Sequence, residues 1–197
     1  MTAGDILCGI TIRQAGPADL ANVAQMHYPV WRQSWAGILP DATLDILGSP
    51  RRWAVLAYPR ILQRRGWSMW IAESGSRTIG MTIFGPDPAN PEQVELDSLY
   101  IAADCQRRGV GARLLATALA ESPSGDVVLW CAERNTQART FYEKNDFHAD
   151  GRTLDWEPLP GVKVAHLGYR LSRPQRGGAS RTARDRCSPA WRDVRRA

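Results

Sequence analysis

Gln106-Arg107-Arg108-Gly109-Val110-Gly111-Ala112 puts two arginines and two glycines into one short run. A strand-like segment ends just before it, at Ile101, and an apolar helical stripe starts inside it, at Val110. Glycine in such a turn lets a ligand approach the main chain, because a Cβ would stand in the way. The first amides of a helix have no acceptor within the helix and carry partial positive charge, so an anion such as a phosphate suits them. Taken alone, the same spacing also describes an ordinary strand-to-helix turn.

Other reactive side chains are scattered. Cys8, Cys105, Cys131 and Cys187 share no CxxC spacing, and His27, His148 and His166 stand at no ligand-like interval from one another. Neither a metal site nor a disulfide framework is expected, and a reducing cytoplasm fits. The first nine residues carry no basic region and only a three-residue apolar run, and no stretch reaches membrane-spanning length, so the expectation is a cytoplasmic protein without a membrane partner.

The elements that must position the loop follow from periodicity. Ile10 to Arg13 alternates as a strand, and Gly16-Pro17-Ala18-Asp19 opens a helix with apolar positions Leu20, Val23, Ala24, His27 and Trp31, which Pro29 is expected to kink or end. A short helix spans Asp41 to Leu47, and a longer one runs from Pro50 through Arg65, kinked at Pro59. Trp67 to Glu73 and Thr78 to Phe84 form a hairpin, and the proline-rich stretch from Pro86 to Pro91 is loop. Val94 to Ile101 is the next strand, with Glu95, Asp97, Leu99 and Ile101 on one face. A helix from Val110, a strand from Val127 to Cys131, a helix from Asn135 to Asn145 and two final strands, Phe147 to Trp156 and Val162 to Leu171, complete the order.

The 197 residues suit one domain, and the net charge of +5 is unevenly spread. From Arg173 to Ala197 there are eight arginines and two aspartates, a net of +6, so residues 1 to 172 carry −1. A near-neutral body with a basic tail is a different object from a basic domain. The expected organisation is a domain over residues 10–172 and a disordered arginine-rich tail over 173–197.

The segment Val94-Glu95-Leu96-Asp97-Ser98-Leu99-Tyr100-Ile101, followed by Gln106-x-x-Gly109-x-Gly111-Ala112, resembles motif A of the GCN5-related N-acetyltransferase (GNAT) family. Asn135-x-x-Ala138-Arg139-x-Phe141-Tyr142-x-x-x-x-Phe147 is similar to its motif B, and the likeness extends in element order over residues 10 to 172. Family members often carry proline where this chain has Ala103 and glycine where it has Asp146. The resemblance implies an α/β fold with a mixed central sheet of about six to seven strands flanked by helices, two of the strands splayed to admit an acyl-CoA. It also implies an enzyme using acetyl-CoA as co-substrate, with no metal.

Residue by residue, the resemblance implies that Leu99, Tyr100 and Ile101 offer main-chain groups to the pantetheine arm, and that Gln106 to Ala112 hold the pyrophosphate, Arg107 and Arg108 adding charge-assisted contacts. Asn135 and Ala138 match cofactor-side positions, Asn135 being equally suited to cap its helix. Tyr142 matches the position of the acid that protonates the leaving thiolate, although Phe141-Tyr142 would also pack as core. Glu95 matches the position of a base, which burial would favour by raising its pKa, and a salt-bridged carboxylate is its alternative. Asp97 stands in reserve.

The acceptor is expected between the first helices and the last strands, where Trp31, Trp35 and Trp156, with Glu95 and Asp97, can receive a cationic amine or else the tryptophans pack as core. A small-molecule primary amine is the leading acceptor and a peptide or protein amine the second. A non-catalytic acyl-CoA-binding module is the alternative from another class. The arginine tail offers nucleic acid only weak, salt-sensitive contact, and a homodimer is left open.

Overall fold

The computed structural model describes residues 9–122 and 125–173. Seven strands form one hydrogen-bonded sheet in the order β1-β2-β3-β4-β5-β7-β6, comprising β1 (Ile10–Gln14), β2 (Ser68–Ser74), β3 (Arg77–Pro86), β4 (Val94–Ile101), β5 (Val127–Ala132), β6 (His148–Leu159) and β7 (Val162–Leu171). The sheet is mixed: β1/β2, β2/β3, β5/β7 and β6/β7 are antiparallel, and β4/β5 is parallel. No helix among the described residues is long and apolar enough to cross a membrane.

By packing, the described chain divides into two units, one within Met1–Phe84 and Ser98–Glu121, the other within Gly85–Asp97 and Ser122–Ala197. In the first unit, a 3₁₀ turn (Pro17–Asp19) leads into α1 (Leu20–Trp35). The Arg13 guanidinium donates to both Asp19 and Glu73 at 2.8–2.9 Å, and this pairing, with the Gly16 amide, holds the Asp19 carboxyl down to about 2. Pro29 does not end α1, which continues to Trp35. It lies on the exposed side, where water can satisfy the carbonyl it orphans, while Leu20, Val23, Ala24, His27, Val30 and Trp31 are buried along the other.

After α2 (Asp41–Leu47), Ser49 caps a helical run by accepting from the Arg52 amide at 3.3 Å. α3 (Pro50–Arg52) passes through a π-helical turn (Trp53–Ala57) into α4 (Tyr58–Leu62), three residues short of the expected end. The π turn ends at Ala57, two residues before Pro59, whose ring would clash with the carbonyl four residues back in a regular helix. It is closed by the Tyr58 amide donating to Trp53 O. The β2–β3 hairpin turns as expected, with Ser74 opposite Arg77 and Gly75 at φ 59°.

The last element of this unit is α5 (Val110–Glu121), with Val110, Leu114, Leu115 and Ala118 buried. Val110 and Leu114 join Ile10, Ala72, Ile79, Ile101, Ala102 and Cys105 in one core cluster. Gly80 lets this cluster close up, because a Cβ would meet Ile101 Cδ1 at 2.7 Å and Leu114 Cδ1 at 2.9 Å and push those side-chain ends aside.

In the second unit, β5 is buried along nearly its whole length and α6 (Thr136–Glu143) is capped by Asn135, whose Oδ1 accepts from the Ala138 amide at 3.1 Å. Asp146 takes φ 65° after this helix, the conformation expected where relatives of the motif carry glycine. Most of the expected arginine tail, from residue 174 on, lies outside the described residues, as do Cys8 and Cys187. Arg173 is held within this unit: its Nε donates to Gly125 O at 2.6 Å and its amide to Asp126 Oδ1 at 3.2 Å.

Candidate active site

In the first unit, β4 ends at Ile101 and a 3₁₀ turn, Ala103–Cys105, leads to the loop. The Gln106 side chain donates to Ile101 O at 3.0 Å and so ties the loop back to its strand. Arg107 (φ 58°) and Gly109 (φ 79°) are both left-handed. Alternating hands turns successive amides toward one side, a concavity suited to an anion. The first α5 bond, Arg113 amide to Gly109 O at 3.1 Å, leaves the amides of Val110, Gly111 and Ala112 in the helix's first turn. Arg107 is exposed and Arg108 half-buried.

The same unit holds Leu99, Tyr100, Ile101, Trp31 and Trp35. Trp31 is 8% exposed and edge-on to Trp53 with ring centroids 5.2 Å apart, so it fills the interior. Trp35 is half-buried and donates Nε1 to the Tyr100 hydroxyl at 3.4 Å. Behind Tyr100 lies His27, 4.1 Å from it between centroids, with Nδ1 2.7 Å from the Tyr58 hydroxyl and Trp53 4.7 Å away. Burial pushes the imidazole down to about 3 and keeps it neutral. A cleft of about 610 Å³ opens beside Ala102–Asp104, bounded by Met26 and Val30 of α1 and by the Arg77–Asp104 ion pair.

The second unit holds Glu95, Asp97, Asn135, Ala138, Tyr142 and Trp156. Glu95 is 4% exposed on β4, in register with Val128. The parallel β4/β5 register has two rungs among the described residues, Val94 with Val127 and Glu95 with Val128, while β5 runs on to Ala132 against β7.

Tyr142 projects from α6 with its ring 5.6 Å from Phe147 and 6.4 Å from Tyr169. Trp156 lies edge-on to His166, 5.7 Å between centroids, and His166 is buried with its pKa lowered by desolvation. Cys131 is buried and its thiol is pushed up to about 12 by desolvation, which removes it as a nucleophile near neutral pH.

Tyr169, part of an expected strand and nothing more in the sequence, is fully buried with its hydroxyl between Arg139 and Glu143. Its partners are distant in sequence, and the one available signal was Arg139 and Glu143 standing four apart on a helix.

A family model described as the acetyltransferase (GNAT) family matches residues 32–147. The "Probable N-acetyltransferase Rv2775" of Mycobacterium tuberculosis is 60% identical over 164 residues, which cover 83% of this chain and 94% of that protein. Among solved structures, the PaiA N-acetyltransferase of Thermoplasma acidophilum in complex with coenzyme A superposes with a TM-score of 0.62 at 19% identity, over 80% of this chain and 97% of that one. Ribosomal-protein-alanine N-acetyltransferase of Brucella melitensis gives 0.64 at 20% identity, over 83% and 99%. These two structural likenesses concern the fold.

Proposed function

The chain belongs to the GNAT family of acetyltransferases, and from that premise we propose that it moves the acetyl group of acetyl-CoA to the primary amine of a small molecule by direct attack. The observation that carries the donor half is the loop: left-handed Arg107 and Gly109 at the mouth of α5, directly after β4. That main-chain concavity fits a pyrophosphate, and Arg107 and Arg108 supply charge. Leu99, Tyr100 and Ile101 hold the pantetheine arm through main-chain groups, and Asn135 and Ala138 line the cofactor side.

Acetyl-CoA supplies an activated thioester carbonyl. Glu95 takes a proton from the substrate ammonium, with Asp97 in reserve, and the freed amine forms the C–N bond. As the C–S bond breaks, Tyr142 gives its proton to the departing thiolate, a phenol being near a thiol in acidity, and the second N–H proton, made acidic by the new C–N bond, returns to the phenolate. A small acceptor is favoured by the half-buried pair Tyr100 and Trp35, joined by the Trp35 Nε1 bond to the Tyr100 hydroxyl, whose ring faces suit an amine by cation–π attraction. Trp156 is assigned to the acceptor side of the second unit.

The test is release of free CoA across a panel of polyamines, amino acids, amino-sugars and peptides, with Glu95→Gln and Tyr142→Phe alongside. Turnover with small amines is expected, with Glu95→Gln lowering kcat/KM and altering its pH profile, and Tyr142→Phe slowing kcat at unchanged acetyl-CoA affinity. Turnover with peptides alone would overturn the acceptor class. Tight acetyl-CoA binding without release to any acceptor would overturn catalysis and favour a binding module.

A further inference from the structure

α6 buries none of its eight residues fully, so packing against the sheet is a poor anchor for a helix of that length. Beside the half-buried Phe141 and Tyr142, whose ring meets Phe147 at 5.6 Å, a polar anchor enters from one strand. Tyr169 is fully buried in β7, which lies between β5 and β6. Its hydroxyl accepts from Arg139 Nε at 3.0 Å and donates to Glu143 Oε1 at 2.9 Å. Arg139 and Glu143 are one helical turn apart, so a single hydroxyl grips two turns of the same face. Desolvation raises the Tyr169 pKa, so the phenol keeps the proton it gives to Glu143.

The helix start is tied separately, by the Asn135 amide to Ala132 O at 2.9 Å and by Arg139 Nη1 to Glu133 O at 3.2 Å. At the end that carries Tyr142, the Phe147 amide donates to Tyr142 O at 3.1 Å and the Asn145 side chain to Phe141 O at 2.8 Å, and Tyr169 adds a side-chain tie from the sheet to Glu143. We propose that Tyr169 is a positioning residue for Tyr142: through Arg139 and Glu143 it fixes the last turn of α6, and with it the place of the Tyr142 phenol. This rests on the reading of Tyr142 as the acid.

The test is a double-mutant cycle on the full chain, using acetyl-CoA and the best acceptor found in the panel. Tyr169→Phe keeps the ring and removes both hydrogen bonds, and Glu143→Ala removes one from an exposed side chain, so it reports even where Tyr169→Phe fails to fold. Each is expected to lower kcat about tenfold, as small misplacements of a reacting group do, with KM for acetyl-CoA held within about twofold. In the Tyr142→Phe background neither should slow the enzyme further, because a residue acting through another shows full non-additivity.

An unchanged kcat in both single variants, or a full additional loss in the Tyr142→Phe background, would overturn the proposal. Wild-type turnover by Tyr142→Phe would overturn the acid assignment instead. A Tyr169→Phe defect would then reflect loss of α6 itself, and positioning of an acid would fall with it.

Discussion

Arg152 holds its guanidinium 4.8 Å above the ring of Trp130, two strands away, with only Gly168 between them on β7. The gap is what the glycine provides. A Cβ at 168 would meet Asp150 Oδ1 at 2.6 Å and Arg152 Cβ at 2.8 Å, where Arg152 Nε also donates to Asp150 at 2.7 Å. Gly168→Ala should therefore displace Arg152 from both partners and cost about 1–3 kcal/mol, in the range of overpacking. Urea unfolding is the measurement, with the midpoint lowered at constant slope.

Gly109→Ala should act on the cofactor and little else. At φ 79° an alanine is strained by about 1–2 kcal/mol, and the loop relieves this by turning its amides away from their common focus. Titration calorimetry should show the affinity for CoA reduced about tenfold, equivalent to about 1.4 kcal/mol, and unchanged affinity would remove this glycine from the binding loop.

The two roles open to Asn135 are separable. Asn135→Ala loses the side-chain bond to the Ala138 amide and should cost about 1 kcal/mol of stability. Asn135→Ser restores a cap, so its melting temperature should return toward wild type. If CoA affinity returns as well, Asn135 serves the cofactor only by capping α6. If affinity stays low, the amide contacts the cofactor directly.

His27 sets an acid limit on stability. Burial lowers its folded pKa to about 3 from an ordinary 6.5, so the unfolded chain binds the extra proton first. The stability from neutral His27 is complete above pH 6.5 and is lost as pH falls from there toward 3. From pH 6 to pH 5 this one group should remove about 1 kcal/mol. Chemical denaturation at both pH values should show that loss in the wild type and a flatter profile in His27→Gln; equal slopes would rule His27 out as its source.

How legible the molecule is from sequence depends on whether the deciding contacts are local. β4 and β7 have the expected bounds because alternation between turn signals is a local property. The passage of α1 through Pro29 was hidden, since the outcome turned on Pro29 lying on the exposed side, a tertiary fact. The π turn was hidden for a like reason, its cause, Pro59, being visible and its remedy not.

The candidate site divides the same way. The loop at Gln106–Ala112 is contiguous and announces itself, and the left-handed Gly109 and Asp146 follow from residue type. The grip of Tyr169 on α6 joins residues 26 and 30 positions apart, beyond any local period. The hold of Gly125 and Asp126 on Arg173 likewise comes from a turn distant in sequence.

The π turn at Trp53–Ala57 also sets an angular register. In a regular helix of 3.6 residues per turn, positions five apart point roughly 140° away from each other, so Trp53 and Tyr58 could not both face α1. The wider π turn narrows that divergence, and both reach the same imidazole: Trp53 at 4.7 Å between centroids, Tyr58 through its hydroxyl at 2.7 Å. The extra residue thus works as a phase shifter. Deleting one position among 54 to 56 would remove the extra residue and swing one of the two rings away from His27, leaving the side chain behind Tyr100 with half its support.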